Sequence, residues 1–350
     1  MKTKIICTIG PASESEEALR ELVTAGMSVA RVNCSHGTTS AREKLIRLIK
    51  KVRTEMGVDV KIMLDMRGPE IRIGRFGDTY EKTGNNGEVE LKKGQTFIFH
   101  TKNIVGDEKG VHVNYPRLPK VVKPGQELLL NDGLLAMTVE VVGEDTVTAR
   151  VKVGGKLGDK KTLFIPGCDL KLPFISKEDA EDLFMGCREV IDWISPSFVN
   201  SANDLKELNA FLEKHGSNSK YPLIAKIETV MGVENIDEIL KVAGGMMVAR
   251  GDLGVEYSYE KVPALQKMLV KKARKAGKIV VVATEMHDSM KERARPTRAE
   301  TTDVANAVWD GTEYIMTSGE TAVGKNAAAT VRSMLKIASE AEKYKKYYRV

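Results

Sequence analysis

Eight short apolar segments, each followed by an amphipathic segment, run through this chain of 350 residues. The apolar segments cover residues 4–9, 28–33, 60–66, 193–198, 221–228, 246–249, 278–286 and 314–319. Such runs predict buried strands, and the longer periodic segments between them predict helices. Eight strand–helix repeats favour an α/β fold of the (β/α)8 TIM-barrel type. A doubly wound open sheet is the alternative, but its usual GxGxxG is not matched by TIGPAS (8–13) after the first strand.

The third and fourth apolar segments are separated by a stretch of different texture, from about Arg75 to Pro166. It contains short alternating runs such as TFIFH (96–100) and TVTARVKV (146–153), with frequent Gly and Lys. This period of two, broken by turn residues, predicts a small all-β domain. We therefore expect a catalytic barrel formed by residues 1–73 and 167–350, with a β-barrel lid domain inserted at 74–166.

The charge balance, the cysteines and the lack of long apolar runs limit the partners and the location expected for this protein. The 54 Lys and Arg exceed the 48 Asp and Glu by six, but the excess is spread out, so we expect no nucleic-acid partner. Four cysteines without CxxC spacing are typical of reduced thiols. The start, MKTKIICTIGP, lacks a secretory signal, and no run approaches the ~20 apolar residues of a membrane span. A cytoplasmic protein without membrane contact is expected.

Polar residues gather where the predicted strands end, which is where the active sites of such barrels lie. Seven strands contribute them: Arg31, Asn33, Ser35 and His36; Asp65 and Arg67; Ser197; Lys226 and Glu228; Arg250, Gly251 and Asp252; Thr284 and Glu285; Ser318 and Glu320. This density predicts a functional site at one rim, over which the inserted domain is placed to close.

Two stretches of this rim point to a chemistry. Lys226 and Glu228 alternate along one strand, so both face the same way; alone, such a pair is most simply a local salt bridge. With Asp252 on the next strand, two carboxylates without His or Cys suit Mg²⁺, and Lys226 is placed to stabilise an oxyanion. In MMVARGDLGVE (246–256) we expect a turn after the strand, where Gly251 lets backbone N–H groups approach an anionic ligand.

At this point the chain resembles the pyruvate kinase family. The matching stretches include TKIICTIGPAS (3–13), GMSVARVNCSHG (26–37), LDMRGPEIRIG (64–74), LIAKIETVMGVENIDEIL (223–240), MMVARGDLGVE (246–256) and most of 283–325. They cover nearly the whole chain in order. The resemblance implies a glycolytic phosphotransferase that moves the phosphoryl group of phosphoenolpyruvate to ADP, giving ATP and an enolate that is protonated to pyruvate.

The resemblance also implies roles for individual residues. Catalysis would fall to Lys226, Thr284 and Arg31, and divalent Mg²⁺ or Mn²⁺ to Glu228 and Asp252. Substrate would contact Arg31, Ser197, Lys226, Thr284 and the backbone of Ala249, Arg250, Gly251 and Asp252. A K⁺ pocket would comprise Asn33, Ser35, Asp65 and the Met66 carbonyl, and the nucleotide would meet His36, Arg72, Lys161 and Asn33.

Several positions depart from the family pattern. Met66 and Ile73 stand where potassium-dependent members usually have Thr, although Glu70 matches the potassium-dependent form, so K⁺ dependence is favoured. Glu285 and His287 replace a usual Gln and an apolar residue. The extra carboxylate of Glu285 either shifts the protonation step or makes a salt bridge, and we favour the salt bridge.

The resemblance leaves two rival functions open. A lyase or aldolase of the pyruvate-enolate barrels also uses metal-binding carboxylates, and IETVMGVENIDEI (227–239) resembles those enzymes. A non-catalytic regulatory relative is the second rival. From the chain length we expect no C-terminal regulatory domain and a homodimer formed through barrel helices.

Overall fold

The computed structural model describes residues 3–77, 87–215 and 221–347. The chain divides into two compact units. The first comprises Met1–Gly68, Phe174–Leu253 and Glu260–Val350, and the second comprises Pro69–Pro173 and Gly254–Tyr259. The second unit is thus somewhat wider than the insertion expected at 74–166, and it includes a short segment after the sixth barrel strand.

Elements are numbered here in chain order. The strands are β1 Lys4–Thr8, β2 Met27–Asn33, β3 Lys61–Asp65, β4 Glu88–Leu91, β5 Thr96–His100, β6 Gly110–His112, β7 Glu127–Leu130, β8 Leu135–Val142, β9 Thr146–Val153, β10 Gly155–Gly158, β11 Leu163–Phe164, β12 Trp193–Ser195, β13 Ile224–Ile227, β14 Gly245–Ala249, β15 Ile279–Ala283 and β16 Tyr314–Thr317. The helices are α1 Glu16–Ala25, α2 Thr39–Glu55, α3 Leu118–Val121, α4 Lys177–Arg188, α5 Ala202–Lys214, α6 Val230–Glu234, α7 Ile236–Val242, α8 Arg250–Glu256, α9 Val262–Lys275, α10 Arg298–Asp310, α11 Gly319–Ala322 and α12 Ala327–Tyr344.

The first unit is a closed barrel of eight parallel strands. Its order is β12-β3-β2-β1-β16-β15-β14-β13, and a parallel bridge between Ile194 and Leu223 joins the two ends. Inward-facing apolar side chains such as Met63, Met247 and Val281 fill the interior. β13 and β14 are buried at every residue, as expected for strands with a packed interior on one face and helices on the other. The predicted (β/α)8 barrel is confirmed.

Local capping signals explain where several barrel helices begin and end. Ser15 caps α1 by accepting a hydrogen bond from the Ala18 amide, and Gly26 ends it with φ 110°, a conformation that favours glycine. Ser176 caps α4 in the same way, as its Ser-x-x-Asp pattern predicts. In NDLKELNAFLEKHG (203–216) the sequence predicts a helix that is closed by Gly216, and this glycine lies outside the described residues.

One local prediction is wrong. The segment after β14, expected to be a turn, is the helix α8, which starts directly at Arg250. Asp252 lies in its first turn, where a carboxylate is favoured by the helix dipole. Because the helix follows the strand without a loop, the amides of Gly251 and Asp252 lie at a helix N-terminus.

Among its described residues, the second unit is built mainly from strands, and its α-helical parts are the short α3 and the end of α8. A six-stranded sheet has the order β11-β7-β8-β9-β5-β6, and β10 pairs with β4. The alternation read in TFIFH is seen in β5, where Phe97 and Phe99 are buried and their rings meet edge to face at 5.4 Å. The predicted inserted β domain is confirmed.

None of the helices that the structure describes has both the length and the apolar character that crossing a membrane requires.

Candidate active site

Lys226 lies near the end of β13 and is a buried charge at the barrel rim with three side-chain partners. Its ammonium donates to Ser197 Oγ at 2.6 Å and lies 3.1 Å from Glu228 Oε1 and 3.2 Å from Asp65 Oδ1. Burial alone would lower the pKa of Lys226, but Asp65, Glu228 and Asp252 outweigh it, and the net pKa is raised above its ordinary value. A buried cation is thus held permanently charged at the rim.

Ser197 connects this lysine to the backbone of the neighbouring strand. Its hydroxyl accepts from Lys226 and donates to the carbonyl oxygen of Met66 at 2.6 Å. A hydroxyl with both its donor and an acceptor position engaged cannot rotate freely, so it fixes the position of the Lys226 ammonium. The sequence places Ser197 at the rim but does not show that it accepts from one strand and donates to another.

Arg31 and Asp65, on the paired strands β2 and β3, form a buried ion pair. Arg31 Nε lies 2.5 Å from Asp65 Oδ2, and Arg31 Nη1 donates to Thr8 Oγ1 at 2.8 Å. Burial raises the pKa of Asp65, but Arg31 and Lys226 lower it more, so it stays ionised. Asp65 Oδ1 has no well-aligned hydrogen bond, yet the Lys226 ammonium balances its charge.

Thr8 is a rim residue that the sequence analysis missed. Its hydroxyl accepts from Arg31 and donates to the carbonyl of Thr317 at 2.7 Å, which links the ends of β1, β2 and β16. The rim residues were identified mainly by their charged or amide side chains. Thr8 was missed because the end of β1 carries no charged residue. The rule that strand ends meet at one rim applies to β1 as well and would have found it.

Glu228 and Asp252 supply the carboxylates expected to hold a divalent cation. Glu228 is 1% exposed; its Oε2 accepts from the Phe198 amide at 2.6 Å while Oε1 faces Lys226. Asp252, in the first turn of α8, is half-buried and close enough to raise the pKa of Lys226. Asp65, Glu228 and Asp252 face two cations, Arg31 and Lys226, so these five side chains leave one negative charge.

Thr284 and the first turn of α8 lie side by side at the ends of β15 and β14. The Gly251 amide donates to Thr284 Oγ1 at 2.9 Å, and Thr284 Oγ1 donates to the Ala283 carbonyl at 2.6 Å. A Cβ added at Gly251 would meet Thr284 no closer than 3.8 Å, an ordinary contact. The protein itself therefore does not require glycine here. Ala249, the residue before α8, is buried. The guanidinium of Arg250 forms an ion pair with Asp303.

The residues expected to bind K⁺ lie at the adjoining ends of β2 and β3. Asn33 and Asp65 are register partners, the Asn33 side-chain oxygen accepts from the Ser35 amide at 3.0 Å, and Met66 is buried with its carbonyl bound to Ser197. The four residues are thus neighbours in the fold. Their binding of K⁺ stays a prediction.

A cavity of about 550 Å³ opens beside Arg31 at the ends of β1, β2 and β16. Its lining includes Asn33 and His36, two of the four residues expected to meet the nucleotide. The other lining residues come mainly from the loop after β1, from α2 and from the start of α11: Thr8, Ile9, Gly10, Pro11, Glu14, Val32, Gly37, Ala41, Arg42, Leu45, Ser318, Gly319, Ala322 and Val323. Its size falls within the range of pockets for small ligands.

Arg72 and Lys161, the other two expected nucleotide contacts, belong to the second unit. Arg72 pairs with Glu70 at 2.6 Å and donates to the Lys160 carbonyl at 2.9 Å. Thr162, one residue after Lys161, also donates to Glu70 at 2.8 Å. The role of Arg72 and Lys161 toward a nucleotide stays a prediction.

Two departures near Thr284 have different surroundings. Glu285 is exposed, and no ion pair within 4 Å involves it in the part of the chain that the structure describes, so the favoured salt bridge is wrong. Its side chain is open to solvent, and it raises the pKa of Lys291 only through a longer-range charge interaction. His287 is fully buried, and neither of its ring nitrogens has a hydrogen-bond partner.

The fold and site together define a (β/α)8-barrel protein whose rim holds the buried carboxylates of Asp65 and Glu228 against the cations of Arg31 and Lys226. A family model described as "Pyruvate kinase, barrel domain" matches residues 1–331. The chain therefore belongs to the pyruvate kinase family, which confirms the resemblance read from its motifs.

Individual relatives agree with this assignment. The chain is 43% identical over 342 residues to a pyruvate kinase of Clostridium perfringens and 46% identical over 345 residues to one of Sporosarcina psychrophila. Each alignment covers 97% of this chain, but 70% of the first relative and 57% of the second. A crystal structure of a pyruvate kinase from Cryptosporidium parvum matches with a TM-score of 0.91 at 38% identity, covering 98% of this chain and 69% of that one.

Proposed function

We propose that this chain transfers the phosphoryl group of phosphoenolpyruvate to ADP. The observation that carries the proposal is the buried Lys226, which Ser197, Asp65 and Glu228 hold charged at the rim of the barrel. Phosphoryl transfer depends on positioning and charge neutralisation rather than on a protein nucleophile. A fixed cation among hydrogen-bonded carboxylates supplies both.

Lys226 and Arg31 have different roles in this reaction. The bond between phosphorus and the enol oxygen breaks as an oxygen of the ADP β-phosphate forms its bond to phosphorus. Lys226 stabilises the negative charge on the transferring group and on the enolate oxygen. Arg31 contacts the phosphate, and its pairing with Asp65 and Thr8 holds its guanidinium in place before substrate arrives.

The enolate then takes up a proton supplied by solvent water at its methylene carbon, and its oxygen becomes the carbonyl of pyruvate. Thr284 and the backbone of Ala249 to Asp252 hold the substrate carboxylate next to that carbon. The contact between the Gly251 amide and the Thr284 hydroxyl supports this role, since both groups converge on one point of the rim.

Glu228 and Asp252 fit a hard divalent cation such as Mg²⁺ or Mn²⁺. Across the described residues, no cluster of three or more His, Cys, Asp or Glu is arranged for a metal. Mg²⁺ is commonly held by only one or two carboxylates, with substrate oxygens and water completing its shell. The single surplus negative charge among the five rim side chains also suits an added cation. When bound, the cation would neutralise charge on the phosphate oxygens.

ADP is proposed to bind in the cavity beside Arg31, where Asn33 and His36 are lining residues. Arg72 and Lys161 are further proposed contacts. Asn33, Ser35, Asp65 and the Met66 carbonyl are proposed to bind K⁺. A cytoplasmic location and a homodimer formed through barrel helices complete the proposal.

The test is pyruvate formation from phosphoenolpyruvate and ADP with Mg²⁺, run with and without K⁺. Turnover only with K⁺ supports both the kinase and the K⁺ pocket, and turnover without K⁺ supports the kinase and removes the pocket. Folded protein that binds phosphoenolpyruvate but forms no pyruvate would overturn the proposal. Cleavage or condensation of a 2-oxo acid by that protein would then identify a lyase or aldolase.

A further inference from the structure

Arg250 is the first residue of α8, directly after the strand β14, yet its side chain does not serve the rim as a charge. The side chain is 11% exposed, and its Nη1 lies 2.7 Å from the carboxylate of Asp303 on α10. The same nitrogen is 3.4 Å from Gln266 Oε1 on α9. These contacts fix the guanidinium from the side of the surrounding helices.

The remaining nitrogens bind the turn that follows β15. Arg250 Nε donates to the Ala283 carbonyl at 3.2 Å, and Nη2 donates to the Thr284 carbonyl at 2.5 Å. Nη2 also lies 3.0 Å from the sulfur of Met286. One planar guanidinium thus contacts three of the four residues from 283 to 286, a geometry that a lysine ammonium cannot reproduce.

This turn needs an external constraint because of its backbone conformation. Thr284 and Glu285 have φ values of 71° and 53°, the left-handed region that residues with a side chain adopt rarely and a β-branched residue most rarely. Such residues keep this conformation only where their surroundings impose it, and they cluster at functional sites.

Consecutive residues of α8 hold Thr284 at two points, its hydroxyl and its backbone carbonyl. The Gly251 amide donates to Thr284 Oγ1 at 2.9 Å, while Arg250 holds the carbonyls of Ala283 and Thr284. A change in φ at Thr284 would swing its hydroxyl away from the Gly251 amide. The position of the hydroxyl therefore depends on the guanidinium behind it.

We propose that Arg250 is a positioning residue, whose guanidinium, fixed by Asp303, holds the turn after β15 so that the Thr284 hydroxyl faces the substrate. The proposal rests on the proposed function, in which Thr284 lies next to the carbon that is protonated. In this role the side chain of Arg250 contacts no substrate and acts only through Thr284.

The first experiment compares Arg250→Met with the wild type in steady-state turnover of phosphoenolpyruvate and ADP. Because a misplacement of about 1 Å at a reacting group costs on the order of 100-fold in rate, kcat should fall by roughly that factor. The KM for ADP should change by less than about threefold, since the interaction lost is one that matters in the transition state. Arg250→Lys should recover only part of the loss.

A matched control exists at Arg53, which also bridges an aspartate and a backbone carbonyl in the barrel. Arg53 Nη1 donates to Asp192 at 2.9 Å and to the Val60 carbonyl at 3.0 Å. Arg53→Met should keep the wild-type kcat. A kcat near wild type in Arg250→Met, or an equal loss in Arg53→Met, would overturn the proposal.

Two further measurements separate the outcomes. If Arg250→Met does not fold, the Asp303→Asn variant takes its place. It keeps the Arg250 guanidinium but removes the charge that fixes it, and an unchanged kcat in this variant would overturn the proposal. If the wild type forms no pyruvate, the proposed function fails. Amide hydrogen exchange at 284–287 then still tests whether the Arg250 guanidinium holds the turn after β15. Faster exchange there in the Asp303 variant than in the Arg53 variant supports it, and equal exchange refutes it.

Discussion

His287 gives the barrel a sensitivity to acid that its replacement by leucine should remove. Its side chain is fully buried after β15, and both ring nitrogens are without hydrogen-bond partners. Burial lowers the pKa of His287 from 6.5 to about 4, although Glu300 and Asp303 oppose the shift. The folded-state pKa thus lies below the unfolded-state value.

The sign of the effect on stability follows from proton binding. Between pH 6.5 and about 4 the unfolded chain takes up a proton at His287 that the folded chain does not, so stability is lost as the pH falls through this window. Above pH 6.5 both states are neutral, and the pH dependence from this residue vanishes.

The magnitude has two parts. At about pH 8, His287→Leu should raise the free energy of unfolding by about 1–3 kcal/mol, because unpaired buried polar atoms are replaced by a side chain that needs no partner. At about pH 4.5 this advantage should grow by roughly a further 2.5 kcal/mol, the free energy of the proton that only the unfolded wild type binds.

Urea unfolding followed by circular dichroism at both pH values measures the two differences, and comparing variants at one pH cancels the contribution of other titrating groups. His215→Leu serves as the control, because His215 is an exposed residue at the end of α5. Between the two pH values, the His215→Leu variant should lose as much free energy of unfolding as the wild type loses. An advantage of His287→Leu that is the same at both pH values would refute the reasoning.

Three further outcomes are expected. Lys226→Met should lower phosphoryl transfer by at least about 10³-fold while Mn²⁺ binding, followed by calorimetry, stays largely intact; transfer at the wild-type rate would remove Lys226 from the mechanism. Asp182→Ala should lower the unfolding free energy by about 3–5 kcal/mol, because it leaves the buried Arg42, 2.6 Å from Asp182, without its partner; a loss below about 1 kcal/mol in urea would contradict this. Thr297→Ala removes the capping box of α10 and should cost about 1 kcal/mol in thermal unfolding, whereas Thr302→Ala on the exposed face of that helix should cost less.

Much of the fold could be read from the chain because its signals are local. The period of apolar residues distinguishes the eight barrel strands from the alternating strands of the insertion, as β14 and β5 illustrate. The segment after β14 was misread because glycines at 251 and 254 favour turns, whereas in the fold the chain continues directly into α8.

Details of the site were less accessible because they depend on contacts between distant segments. The hydrogen bonds from Arg31 to Thr8 and from Ser197 to the Met66 carbonyl join different strands. Nothing in the sequence around Arg250 indicates that its guanidinium turns toward Asp303 and the turn at Thr284.

The sequence by itself determined the order of strands and helices, the inserted β domain and most of the charged residues that reach the rim, because periodicity and strand ends are properties of short segments. Only the tertiary structure decided which charges pair. Lys226 remains charged although buried because the fold brings Asp65 from β3 within 3.2 Å of it, and His287 remains neutral because the fold buries its ring without a hydrogen-bond partner. Both results are set by distances of a few ångströms between segments far apart in the chain, and over such distances burial and charge pairing dominate the free energy of an ionisable group.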